Sequence, residues 1–136
     1  MDFLKSLAIA ASGLHAQIGR MEIISENIAN ADSTAQTKGG DPYRRKIITF
    51  TSELDHSLDA NVVKLGHVDS DSSDFQVRHE PGNPAADKNG NVKYPNVNTL
   101  VEVSDMRDAQ RSYEANLNII TATRRMLQRT IDILKS

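Results

Sequence analysis

The chain has 136 residues, 16 basic and 18 acidic, with a net charge of −2, no cysteine, no tryptophan and a hydrophobic fraction of 38%. That length supports one compact domain, or one small domain with helical arms, and the near-neutral charge excludes a generic nucleic-acid or acidic-membrane binder, which needs an excess of Lys and Arg. The missing cysteines exclude disulfides, thiolate nucleophiles and Cys-built zinc sites together.

From the N-terminus, Leu4, Leu7, Ala11, Leu14, Ile18, Met21 and Ile28 recur in steps of three and four, which predicts an amphipathic helix over residues 1–30. Ala8 and Ile24 widen the stripe, and Lys5, Gln17, Arg20, Glu22 and Glu26 fall on other faces. Gly13 and Gly19 each cost roughly 1 kcal/mol relative to Ala, so this helix needs a partner to be ordered. Asp2 offsets Lys5 and the apolar run from Leu7 to Ala11 is short, so the expectation is an N-terminus without a cleaved leader.

All four Pro and five of the seven Gly fall between residues 39 and 95, which marks the middle as turn-rich. Residues 31–51 read as an extended loop and first strand, and 52–98 as a small β-rich outer segment. Lys46–Thr51, Val62–Leu65, Phe75–His79 and Val92–Tyr94 have strand character, the last preceded by a tight turn at Asn89–Gly90.

Residues 99–136 read as a second long helix. Thr99 with Glu102 forms a capping-box pattern, and Val103, Met106, Tyr113, Leu117, Ile120, Leu127, Ile131 and Leu134 again run in steps of three and four, interrupted by Gln110 and Arg124. Acidic residues lead and basic ones end it, complementing the macrodipole. The fold class is therefore mainly α with a small β part. An intramolecular helical hairpin and an assembly with other copies both account for the two stripes, and periodicity does not separate them.

Chemistry finds little footing. His15, His56, His67 and His79 are too widely spaced for an HExxH or finger-type pair. Asp69, Asp71, Ser73 and Glu80 match calcium-loop positions, but Asp74 stands where the loop needs Gly, and Asp87, Asn89 and Asn91 read as a turn. No phosphate loop and no GxSxG elbow occurs. An enzyme would need a pair such as His79 with Glu53 or Asp87, which no spacing predicts, and no cofactor, metal or small-molecule substrate is expected. Tyr43, Arg44, Arg45 and Lys46 hold the one basic triplet, read as a solvated strand start or a phosphate site. For Arg124 a snorkelling side chain and an inter-subunit ion pair are equally good readings.

SENIANADST at residues 25–34, GGDPYRRK at 39–46, YPNVNTLVEVSDM at 94–106 and RSYEANLNII at 111–120 resemble the axial proteins of the bacterial flagellum, and among them the rod proteins of the basal body. The resemblance implies a non-enzymatic subunit of the proximal rod crossing the periplasm, exported by the flagellar type III apparatus without a cleaved signal peptide. It implies terminal helices paired as an inner coiled-coil hairpin, with Asn27, Ile28, Ala29 and Asn30 closing the first helix, and Thr34 completing the axial motif. Its partners would be other copies of itself, the proximal rod proteins FlgB and FlgF, and the export apparatus. On that frame Leu4, Leu7, Leu14, Ile18 and Met21 are expected to pack on Tyr113, Leu117, Ile120, Leu127 and Ile131, with Tyr43, Arg44, Arg45 and Arg124 in inter-subunit polar contacts. The competing reading is a generic coiled-coil adaptor carrying a β insert.

Overall fold

A computed structural model describes residues 2–135. The elements in chain order are helix α1 (Phe3–Ala29), strands β1 (Lys46–Asp55), β2 (Ala60–Ser70), β3 (Gln76–His79) and β4 (Asn91–Tyr94), and helix α2 (Thr99–Lys135). They form two two-stranded sheets, β1 with β2 and β3 with β4. The predicted elements are all present, but β1 and β2 outrun their apolar runs, because backbone pairing continues wherever two strands lie side by side, whatever their side chains.

The chain divides into two compact units, one built from Met1–Met21, Thr49–Gly66 and Arg107–Ser136, the other from Glu22–Ile48 and His67–Met106. In the first, the carboxylate of Asp2 accepts from the N–H groups of Leu4 and Lys5 and so caps α1. The β1–β2 hairpin lies along α1. Ser12 Oγ accepts from Val63 N–H at 3.1 Å, and Lys5 Nζ donates to the Asp59 carbonyl at 3.2 Å. Close approach explains the two helix glycines: a Cβ on Gly13 would meet the Asn116 side chain at 2.9 Å, and one on Gly19 would meet a Leu65 methyl at 2.4 Å. Their cost in helix propensity is offset by packing that no larger residue permits.

Consequently the buried face of α1 in this unit carries small residues, Ala10, Gly13, Ala16 and Gly19. On α2 the buried positions Ala109 and Thr123 flank half-buried Asn116 at seven-residue spacing. The bulky stripe read from the sequence lies to the side of these columns.

In the second unit, β3 and β4 pair antiparallel with Gln76 opposite Tyr94 and His79 opposite Asn91. Ala85, Ala86, Val92 and Tyr94 form its small core, with Ala35 packed against it. The turn between the strands closes as the sequence predicts. Asp87 Oδ1 accepts from Asn89 and Asn91 N–H, and Gly90 takes φ +79°, which favours glycine. The capping box is corrected: Asn98 is the N-cap of α2, its side chain accepting from Leu100 and its carbonyl from Glu102. Glu102 turns away from the helix end because a stronger, charged partner claims its carboxylate.

Candidate functional site

Among the most heavily bonded places in the second unit is the side chain of Asn27, 1% exposed. Its amide nitrogen donates to the Lys46 carbonyl at 2.9 Å, while its oxygen accepts from Lys46 N–H at 2.9 Å. The side-chain amide thus stands in for a neighbouring strand at the first residue of β1. The remaining capacity is filled by Glu102 Oε2, 3.1 Å from the nitrogen, and by Tyr43 O–H, which donates to the oxygen at 2.8 Å. All four hydrogen-bonding valences of Asn27 are satisfied. Asn27 therefore lies inside α1 and anchors the returning chain, and the helix end is held by Asn30, whose side chain donates to the Glu26 carbonyl.

Glu102 is wholly buried. Arg45 Nε donates to it at 2.6 Å, and the same guanidinium reaches Asp71 at 3.4 Å and Asp105 at 3.8 Å. Asn96 locks the frame, accepting from Arg45 N–H and donating to the carbonyls of Asp71 and Ser73. Arg44 donates to those two carbonyls as well and lies 4.1 Å over the Phe75 ring. Lys46 pairs with Glu26. Burial acts to lower the Arg45 pKa, but the hydrogen bonds and charges of Glu102 and Asp71 outweigh it and raise it. Backbone and hydroxyl hydrogen bonds from Ser73 hold the Asp71 carboxyl below its ordinary range, with Arg45 adding to the effect. Burial, with Glu26 and Glu102 nearby, pushes the Tyr43 phenol up to about 12.

These residues fix geometry. Among the described residues no three His, Asp or Glu side chains converge on a metal position. The calcium-like spacing is dissolved by the fold, since Asp71 faces Arg45 and Glu80 accepts from Tyr94 and Asn83. His79 lies beside Asn91. No described helix is long and apolar enough to cross a membrane.

The axial-motif residues separate: Asn27 is buried, Ile28 and Thr34 are half-buried, and Ala29 is exposed. Tyr43, Arg44 and Arg45 bond within their own unit, as described, and Arg124 is exposed. Leu7, Leu14, Met21, Tyr113, Ile120 and Leu127 are half-buried, whereas Leu4 (70%), Ile18 (39%), Leu117 (44%) and Ile131 (38%) are exposed. Ile119, Met126, Ile133 and Leu134 join them outside. Sequence reasoning missed the roles of Glu102, Asn96, Asp71 and Asn116, whose partners lie far along the chain. The one available signal was Asn27 itself, a polar residue at the buried spacing of a helix.

Two family models match the chain: "Flagella basal body rod protein" over residues 7–35 and "Flagellar basal body rod FlgEFG protein C-terminal" over residues 88–133. The chain is 56% identical to the flagellar basal-body rod protein FlgC of Agrobacterium fabrum, over 100% of its own length and 99% of that protein. It is 37% identical to the protein of the same name in Bacillus subtilis, over 99% and 100% of the two chains. With that of Salmonella typhimurium it shares 35% identity over 98% of each.

Proposed function

Because the chain belongs to the FlgC family of flagellar basal-body rod proteins, we propose that it builds the proximal part of the rod through its terminal helices and passes torque along them. It is a structural subunit of the basal-body rod and not an enzyme. In the proposed arrangement α1 and α2 pair as a coiled-coil hairpin forming the inner domain of the rod, with residues 31–98 as its loop and outer part. Leu7, Leu14 and Met21 face Tyr113, Ile120 and Leu127 within the subunit, while Leu4, Ile18, Leu117 and Ile131 meet neighbouring copies, and Arg124 supplies an inter-subunit ion pair. Tyr43, Arg44 and Arg45 contribute by holding the subunit's own frame.

The observation that carries this reading is the inverted distribution of side chains. Small and polar residues, Ala10, Gly13, Ala16, Gly19, Ala109 and Thr123, take buried positions, while large apolar ones such as Leu4, Ile9, Ile18, Leu117, Ile119 and Ile131 are left exposed on both helices. Contiguous exposed apolar surface marks an interaction site, and a helical array needs different patches of one subunit to meet on its neighbours. Load then passes through many side-chain contacts along the helices. Assembly beside FlgB and FlgF, delivery by the type III export apparatus with an uncleaved N-terminus, and a place in the rod across the periplasm belong to the same proposal and are supported by membership of the family.

Replacing Leu14 or Leu127 by Asp puts a charge into the helix pair. In a strain lacking its own copy, each variant is expected to be synthesised but to leave the rod unbuilt and the cells non-motile. Normal swimming in both overturns the proposal.

A further inference from the structure

The first unit holds a groove of about 500 Å³ between α1 and the β1–β2 hairpin. Its floor is made of Ala8, Ala11 and Ala16, its wall of Leu58, Val62 and Leu65. That volume falls within the ~300–1,000 Å³ of clefts that enclose apolar groups. The same unit carries a complementary projection. Leu127 lines one cavity with Phe3 and Leu4 at the first turn of α1, so Gln128–Lys135, about 12 Å of helix at 1.5 Å per residue, run on past that turn. Leu134 lies five full turns beyond Asn116, hence on the inward side of α2, yet it is 81% exposed, and Ile133 is 74% exposed.

The charges match as well. Asp55 and Lys64 line the groove, and Lys64 is paired to Glu53 as Lys5 is to Asp59. The hydroxyl and N–H of Ser57 hold the Asp55 carboxyl below its ordinary range, keeping it charged. The projecting end of α2 is net basic, with Arg129 and Lys135 against the single acid Asp132.

We infer that the projecting end of α2 of one copy seats in the α1–hairpin groove of a second copy, Ile133 and Leu134 filling the apolar floor and Arg129 or Lys135 meeting Asp55. This rests on the rod-subunit reading and deepens it by naming which surface of one copy meets which of the next. The contact is heterologous, so it repeats from copy to copy, giving a ring where the rotation closes and a helical array where it does not.

The absence of cysteine makes the test direct. His15→Cys, on the exposed rim of the groove, and Leu134→Cys are purified separately, one bearing a size tag. They are mixed at rising concentration and oxidised, with sedimentation run in parallel. The expected result is a mixed disulfide dimer at least tenfold in excess over either homodimer, appearing with assembly. A dominant Leu134→Cys homodimer means that tips meet tips and overturns the inference. Sedimenting assemblies without the mixed dimer overturn the inference and leave the rod-subunit reading standing. A chain that stays monomeric at every concentration overturns both.

Discussion

Replacing Asn27 by Asp changes one NH2 to an oxygen and leaves the volume almost unaltered, so its effect isolates the hydrogen bonds. The oxygen still accepts from Lys46 N–H and Tyr43 O–H. The two bonds donated by the amide, to the Lys46 carbonyl and to Glu102, are lost. A second carboxylate would then stand 3.1 Å from the Glu102 oxygen, a repulsion of about 5 kcal/mol at an effective dielectric constant of 20. Proton uptake by the introduced carboxyl limits the penalty. Protonating an ordinary Asp at pH 7 costs about 4 kcal/mol, and the unpaired carbonyl adds about 1 kcal/mol. The expected loss is therefore about 5 kcal/mol at pH 7, most of the stability of a small domain. At pH 5 the protonation cost falls to about 1.5 kcal/mol, and with the same unpaired carbonyl the loss shrinks to about 2.5 kcal/mol. Urea unfolding followed by tyrosine emission measures both, because Tyr43 and Tyr94 lie in the unit concerned. A variant as stable as the parent at pH 7, or more impaired at pH 5 than at pH 7, refutes the reasoning.

Gly19→Val places a branched side chain against the Leu65 methyl that a Cβ already meets at 2.4 Å; overpacking of about 1–3 kcal/mol is expected as a lower midpoint of the helix signal in thermal circular dichroism. The raised Tyr43 pKa favours the neutral phenol in the folded state, so its contribution is full below pH 10 and is lost between pH 10 and about 12. In Tyr43→Phe that component of the alkaline loss should vanish from a pH series of urea midpoints. For Asp71 the sign is opposite: its lowered pKa gives stability that is present above the ordinary Asp value near 3.9 and lost as pH falls below it. Asp71→Asn is expected to flatten the acid side of the same series.

The two helices, the strand positions and the Asn89–Gly90 turn were legible in the sequence because each is dictated locally, by periodicity, β-branched runs and turn residues. Which helix face turns inward was not. Leu4, Ile18, Leu117 and Ile131 draw the eye to the bulky stripe, yet close packing is made by Ala10, Gly13, Ala16 and Gly19. A column of small residues carries no hydrophobic signal. In a chain that assembles, the hydrophobic period reports what is buried in the array as well as in the subunit. Glu102 shows a second limit. Its spacing from Thr99 fits a cap, and only the fold reveals Arg45, 57 residues away, as the partner that takes it. The basic triplet read as a surface feature is bonded inside the unit for the same reason: the acids and carbonyls that satisfy it come from 26 or more residues further on, or from α1.

The central claim is that the exposed apolar residues of α2 drive assembly and are dispensable for the subunit's own fold. Sedimentation of the full chain against a Leu117→Asp/Ile131→Asp double variant tests it most directly, with far-UV circular dichroism on both. Because both side chains are already exposed in the single subunit, their replacement should cost little folding stability. The account predicts unchanged helix content, assembly of the parent at high concentration, and a variant that stays monomeric at the same concentration. A variant that assembles as readily as the parent contradicts it.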